Sequence, residues 1–369
     1  MENLHLSFPN IQTTNMKKLI LSLCLTALAT GLFAQSEDNY IVRCIAFYNL
    51  ENLFDTIHDE GKNDFEYLPN GGNRWTALKY KHKLHKMAYA ISQFGLDKTP
   101  IGAVCVGVAE VENIHCLEDL VKQPELADRH YKPILLEGPD RRGVDVGFLY
   151  NPSYFTVVST KGYQLNAHYS DGGVVKSRLQ LLVSGYLKDD KGVVKDKIHI
   201  LVNHWPSRYG GEESSRATRD TAAMLCKHIA DSLYLKDPGA KIIIMGDLND
   251  DPYNHSCAEV LGARKDRDEV EEKGFYNTMW KTLDRGIGSL AYNGSWNLFD
   301  QIIISEPLAH APRSKTEWSY WQAEIFNKRF LTVLEGKDKG TPLRTHKGGV
   351  WLNGFSDHYP TMIYLVKQK

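Results

Sequence analysis

The stretch Lys241-Ile242-Ile243-Ile244-Met245-Gly246-Asp247-Leu248-Asn249-Asp250 runs from an unbroken apolar segment straight into acids and an amide. A short continuous apolar run bounded by a glycine reads as a strand buried on both faces. Such a strand is expected to end in a plain turn. This one ends at Asp247 and Asn249, spaced by one residue, so both side chains lie on one edge of the strand end. One can polarise a water while the other holds an oxygen. Loops at strand ends are where α/β scaffolds place their chemistry.

The same junction recurs along the chain. Tyr48-Asn49-Leu50-Glu51-Asn52-Leu53-Phe54-Asp55 follows the apolar run that begins at Ile41, and Val108-Ala109-Glu110-Val111-Glu112-Asn113 follows the run from Gly102. Val202-Asn203-His204-Trp205-Pro206, Asn297-Leu298-Phe299-Asp300-Gln301 and Ser356-Asp357-His358-Tyr359-Pro360 complete the set. GDxN alone occurs by chance, and an Asp-His pair is often a structural hydrogen bond. Six such ends in one chain, each beside an apolar run, are hard to assemble by chance. Glu110, Asp357, Glu51 and Asn49 are hard oxygen donors suited to Mg²⁺, Mn²⁺ or Ca²⁺ and poor for zinc. His204 and His358 can act as acids or as cationic phosphate contacts. Together this is the inventory for metal-assisted attack of water on a phosphorus ester.

Between these ends, strand-like runs alternate with amphipathic ones. Leu84, Met87, Ala88 and Ile91 recur at helical spacing between Thr76, which can cap a helix, and Gly95, which can stop it. Lys79, Lys81, Lys83 and Lys86 are assigned to the solvated face of that helix. A long helix is expected over 214–235. Strands are expected over 144–150, 179–187, 197–204, 296–305 and 361–366, some in hairpin succession and others separated by helices, which makes the sheets mixed. Residues 306–356 are the least regular part and read as an inserted loop packing on its own aromatics, with a substrate-contacting wall as the alternative.

The 369 residues hold 44 Lys and Arg against 45 Asp and Glu, a formal net charge of -1. A neutral balance argues against tight electrostatic binding to nucleic acid but leaves room for local grip on phosphates. With 42% hydrophobic and 24% charged residues, the composition excludes a disordered chain and a disulfide mini-scaffold. Met16-Lys17-Lys18 followed by the apolar run from Leu19 to Phe33 and by Ala34-Gln35 reads as a secretory signal with cleavage after Ala34. Residues 1–34 are assigned to that signal, with 1–15 as an upstream over-call, and 35–369 to a single catalytic domain. The expectation is an exported protein, periplasmic or secreted, with no membrane insertion and monomer as the default state. Cys44, Cys105, Cys116, Cys226 and Cys257 would remain, an odd number that leaves at least one thiol free. The absence of GxSxG disfavours a serine hydrolase, and the absence of GxxxxGK[ST] a P-loop enzyme.

On the six strand ends the sequence resembles the endonuclease/exonuclease/phosphatase superfamily, from about Tyr40 to Val366. Its opening, Asn49 to Asp55, is most similar to secreted bacterial nucleases in that group. The resemblance implies an α+β fold, a four-layer α/β/β/α sandwich of two mixed sheets flanked by helices. It implies Glu110 and Asp357 as metal ligands, with Asn49 and Glu51 on the metal side; Glu51 stands where repair nucleases carry Asp. It implies His204 near the leaving group, Asp247 and Asn249 at the water and the phosphate, and Asp300 orienting His358. Whether Asp247 or His358 is the base stays open. Arg178, Arg208 and Arg216 are read either as a basic rim for flanking phosphates or as ion pairs of the scaffold. DNA or RNA is the first expected substrate, and an inositol phosphate, sphingomyelin or another small phosphoester the alternative; a binding protein without activity comes last.

Overall fold

Strand β1 (Tyr40–Leu53) fixes the architecture because both of its neighbours are strands and nearly all its side chains are buried. The computed structural model describes residues 39–369 except 170, 193–195 and 293; the assigned export signal, residues 1–34, lies outside the described residues. In chain order the remaining strands of the two sheets begin with β2 (Ala103–Val111), β3 (Lys132–Leu135), β4 (Asp145–Tyr150), β5 (Phe155–Tyr163), β6 (Gln180–Leu187), β7 (Asp196–His204) and β8 (Lys241–Asp247). They continue with β9 (Ala263–Arg264), β10 (Phe275–Asn277), the ribbon β11 (Leu290–Tyr292) and β12 (Ser295–Asn297), and β13 (Asp300–Ser305). The chain closes with β14 (Ser319–Ile325), the ribbon β15 (His346–Lys347) and β16 (Val350–Trp351), and β17 (Thr361–Gln368).

One sheet has the order β14-β17-β1-β2-β4-β3 and the other β5-β6-β7-β8-β13-β10-β9. Each has a parallel pair at its centre, β1 with β2 and β7 with β8, flanked by antiparallel strands. The two sheets pack face to face. Strict alternation shows this in β8: Ile243 and Met245 join the core between the sheets, while Ile242 and Ile244 join the outer core under a helix. That is the period-two signature of a strand buried on both faces. A Cβ on Gly107 would stand 2.6 Å from the Met245 sulfur and 3.2 Å from Val202 Cγ1, so glycine lets β2 approach the second sheet closely.

Helices α1 (Ala77–Ser92) and α2 (Ile114–Val121) cover the outer face of the first sheet, and α3 (Glu212–Tyr234) covers the second. Together they make the expected four layers. Thr76 caps α1 by accepting from Lys79 N, Asn113 caps α2 by accepting from Cys116 N, and Gly95 ends the first helical segment at φ +76°. Ala222, Cys226, Ile229, Ala230 and Leu233 line the inner face of α3 at helical spacing. Glu212 and Glu213 occupy its first turn, where the helix dipole favours negative charge.

Three expectations are corrected. Lys83 is not on a solvated face: it is 2% exposed and donates to Thr345 Oγ1 at 2.5 Å and to the Phe355 carbonyl at 2.6 Å. The helix turns it inward because a partner segment more than 250 residues away supplies its acceptors. Residues 306–356 are not one irregular loop: β14 is an edge strand paired along β17, with Trp318 buried at its start. The aromatic packing does hold, since Phe330 meets Phe326 and Phe355 edge-on. The strand expected over 296–305 is broken at Leu298, whose N–H donates to Asp251 at 2.6 Å, so residues 295–297 turn back as a ribbon. All five cysteines from Cys44 onward are free and buried.

Candidate active site

The sheet register brings the polar strand ends to one edge of the sandwich. In the parallel pairs, Asn49 lies opposite Ala109, next to Glu110, and His204 lies opposite Asp247. Parallel strands end on the same side, so their C-terminal residues arrive together. The antiparallel neighbours contribute their first residues at that same edge. Asp300, the start of β13, pairs with Asp247, and Thr361, the start of β17, pairs with Phe47, so Asp357 and His358 enter just above β1. Topology, not sequence proximity, assembles residues that span Asn49 to His358.

Two triads share Asp247. Ligating atoms of Glu110, His204 and Asp247 all lie within 4.8 Å of one another, and so do those of Asp247, Asp300 and His358. His204 Nε2 is 3.6 Å from Asp247 Oδ2 and 3.9 Å from Glu110 Oε1. His358 Nδ1 meets Asp300 Oδ2 at 2.6 Å, and Ser289 Oγ donates to the same oxygen at 2.5 Å. Asn49 Nδ2 donates to Asp247 Oδ2 at 3.0 Å, and Asn249 N donates to Asp247 Oδ1 at 3.0 Å. Asp247 is therefore gripped on both oxygens. Asn249 Nδ2 donates to the Trp205 carbonyl at 3.0 Å, which ties the GDxN end to the His204 end.

The backbone is strained at this edge. Glu51, Asn52, Glu110 and Asn249 all adopt left-handed φ values, between 48° and 60°. For residues other than glycine this costs about 1–3 kcal/mol each, and such strain clusters at functional sites. Here it turns Glu110 so that Oε2 accepts from Asn52 N at 3.1 Å. Glu110 Oε1 makes no hydrogen bond among the described residues.

Burial and neighbours divide the titratable groups. Burial drives the His204 pKa well below the ordinary histidine value, and the Arg178 and Arg142 charges add to this, so the ring is neutral. Burial opposes protonation of His358 too. There the Asp300 carboxylate prevails, as charge and as hydrogen-bond acceptor, and holds the pKa well above the usual value. Burial pushes the Asp247 carboxyl up to about 7, against the pull of His358. The site thus holds a neutral imidazole, an imidazolium and a carboxyl poised near neutrality, the separation expected of acid–base machinery.

The other expected residues are placed as follows. Glu51 is buried, with Oε1 accepting from Arg344 Nε at 3.3 Å and Oε2 from Thr345 N at 2.5 Å. Asn49 has its carbonyl oxygen on Glu51 N and its amide on Asp247. Asp357 Oδ2 accepts from Arg344 Nη2 at 2.9 Å, and Oδ1 makes no hydrogen bond among the described residues. Hard free oxygens on Glu110 and Asp357 fit a divalent cation of the Mg²⁺ class, whereas the oxygens of Asn49 and Glu51 are engaged within the chain. Of the three arginines, Arg178 is buried and reaches the site's wall, donating to Asp140 and to the Trp205 carbonyl. Arg208 is clamped by the Asn249 carbonyl, Asp250 and Glu212 and lies over the Phe299 ring. Arg216 is on α3, paired with Glu213 and Asp220, and is not brought to the cluster.

Sequence reasoning missed Arg344, Thr345 and Ser289, and it placed Lys83 on the solvated face. Arg344 and Thr345 lie in the irregular segment, and Ser289 precedes a ribbon; none sits at an apolar strand end, so no pattern marks them.

The pattern of the Endonuclease/Exonuclease/phosphatase family matches residues 44–367. The chain belongs to that family. The match spans every strand end described above, and it makes this member of the endonuclease/exonuclease/phosphatase family a phosphoric ester hydrolase. No curated protein matches it by sequence. Among solved structures it is similar to a protein of the same family from Bacteroides thetaiotaomicron, at 14% identity, 89% of this chain and 99% of that one, with a TM-score of 0.49. It is also similar to a mannosyl-6-phosphatase of Bacteroides thetaiotaomicron at 14% identity, 88% of this chain and 99% of that one, TM-score 0.48. TDP2 of D. rerio complexed with a single-strand DNA product is similar at 13% identity, 88% of this chain and 98% of that one, TM-score 0.48.

Proposed function

We propose that this chain is an exported, divalent-metal-dependent phosphodiesterase that cuts nucleic-acid strands by in-line attack of water. The observation that carries the reading is the pair of triads joined at Asp247, which places a neutral and a charged imidazole around one carboxyl at the open edge of the sandwich. Glu110 Oε1 and Asp357 Oδ1 would hold Mg²⁺, Mn²⁺ or Ca²⁺, which when bound neutralises charge on the phosphoryl oxygens. His358, held protonated by Asp300, donates to a non-bridging oxygen and stabilises the charge that grows there. In this reading His358 keeps its proton as the donor and Asp247 is the base. Asp247 accepts the proton of the attacking water, and Asn249 positions the phosphate. His204, neutral in the free chain, stands at the leaving-group side and passes on a proton only after taking one up; Asp247 Oδ2 is within 3.6 Å. Residues 1–34 serve as the export signal and 35–369 as one catalytic domain. No helix among the described residues is long and apolar enough to cross a membrane.

Exposed aromatic rings support a strand substrate. Tyr209 follows the clamped Arg208, Tyr253 is bonded to Asp251, and Trp296 stacks on Tyr359 beside His358. Bases stack on such rings without sequence preference. One observation favours a small phosphoester instead: Arg208 and Arg216 are committed to carboxylates, so the expected basic rim is weak.

The test offers supercoiled plasmid, single-stranded RNA, bis-p-nitrophenyl phosphate and an inositol phosphate side by side, with Mg²⁺, Mn²⁺ or EDTA and with His358→Ala as the blank. Metal-dependent nicking that the blank lacks is the expected result. Turnover of only the dye or the inositol phosphate would keep the site and move the substrate to the small-molecule reading. Silence on all four would overturn both.

A further inference from the structure

The carboxylate centre contains a cation of its own. Arg344 bridges Glu51 Oε1, at 3.3 Å from Nε, and Asp357 Oδ2, at 2.9 Å from Nη2. These two side chains come from opposite ends of the described chain, and like charges this close repel unless a cation lies between them. Arg344 supplies it. Its remaining N–H groups have no partner among the described residues, and the side chain is 41% exposed, so an outward path is open.

The backbone around Arg344 is fixed. Phe355 N donates to the Leu343 carbonyl at 2.6 Å, and Thr345 N is bonded to Glu51. Buried Lys83 holds both Thr345 Oγ1 and the Phe355 carbonyl from the helix behind. A Cβ on residue 354 would stand 2.3 Å from the Arg344 carbonyl oxygen, so only glycine fits where the segment folds back. Arg344 can therefore leave the carboxylates by rotation of its side chain alone, without a change in the loop.

We propose that Arg344 is a resident counter-cation of the Glu51–Asp357 pair and that an entering divalent ion displaces its guanidinium. A small ion of charge two binds carboxylate oxygens at about 2.0–2.6 Å, closer than any guanidinium. With the ion on Asp357 Oδ1 and the guanidinium on Oδ2, two positive charges would share one carboxylate, and the ion's charge repels the more weakly held guanidinium. With no ion present, Arg344 keeps the carboxylates together and the loop bearing Asp357 and His358 in place; on ion entry its freed fork turns outward. The inference rests on the reading that Glu110 and Asp357 hold a divalent ion.

The experiment titrates the purified full chain with Mn²⁺, read by electron paramagnetic resonance, in wild type, Arg344→Gln and Arg344→Lys. The expected result is affinity about tenfold or more tighter in Arg344→Gln, with the lysine variant between, because the second positive charge on Asp357 is removed. In EDTA, Arg344→Gln should melt below wild type, and saturating Mn²⁺ should close that gap. A second measurement uses wild type alone: Mn²⁺ should speed labelling of Arg344 by phenylglyoxal, read by mass spectrometry. Equal or weaker Mn²⁺ binding by Arg344→Gln, or labelling that Mn²⁺ leaves unchanged, would overturn the proposal while the metal reading stands. No Mn²⁺ binding by any variant would overturn both.

Discussion

Asp300→Asn removes the charge that orients His358 while keeping the shape of the side chain. In the wild-type chain Asp300 Oδ2 lies 2.6 Å from His358 Nδ1 and 2.5 Å from Ser289 Oγ, and Asp300 has no exposed surface. An asparagine presents either an amide N–H that faces an imidazole N–H, or a neutral oxygen in place of the carboxylate. A hydrogen bond to a charged group contributes about 1.5–3 kcal/mol. At about 1.4 kcal/mol per decade, its loss in the transition state is about a 10- to 150-fold fall in turnover. The assay is kcat on bis-p-nitrophenyl phosphate with Mg²⁺, with urea unfolding to confirm that the variant is folded. The sign of the titration follows from the same contact. Asp300 raises the His358 pKa above the ordinary value, so the variant imidazole should lose its proton at a lower pH than in wild type, as seen by nuclear magnetic resonance. A folded variant with turnover within about twofold of wild type, and an unchanged imidazole titration, would refute the orienting role of Asp300.

His204→Ala and Asp247→Ala should each leave the fold intact and lower turnover at least about 10²-fold, the usual weight of a positioned proton-transfer group; unchanged turnover in either would remove that residue from the mechanism. Asp145, buried in β4, accepts from Gly138 N at 2.9 Å, and burial pushes its carboxyl up to about 7. An unfolded aspartate titrates near about 3.9. The folded chain therefore keeps a proton that the unfolded chain has lost across that interval. The stability it brings is complete below about pH 4 and lost as pH rises through about 7. Asp145→Asn should flatten the fall in urea midpoint between about pH 5 and pH 8, and an unaltered slope would count against this account.

Much of the site is legible in the chain because a doubly buried strand leaves a plain signature, an apolar run, and any acid or imidazole directly beyond it stands out. That is why Asn49, Glu110, His204, Asp247, Asp300 and His358 can be named from their surroundings before any contact is seen. The edge strands leave a weaker mark. In β5 most side chains are exposed, and in β14 Gln322 and Glu324 interrupt the pattern, because only one side of an edge strand is paired. Lys83 misleads for a related reason: helical spacing says which face a residue is on, but not that a distant loop will cover that face and accept its hydrogen bonds.

By itself the sequence determined that the sheets are mixed, where the main helices lie and which six strand ends carry reactive groups, because these depend on local periodicity and on residue type; the two-sheet sandwich was implied only by the family resemblance. Only the tertiary structure decided which of those groups act on one another. Register sets His204 opposite Asp247 and Asp247 opposite Asp300, burial leaves one imidazole neutral, and a buried carboxylate charges the other. It also decided that Arg344 stands between Glu51 and Asp357 while Arg216 stays on the surface. Those outcomes depend on distances between residues far apart in the chain, and electrostatic energy follows distance and burial, which no linear spacing contains.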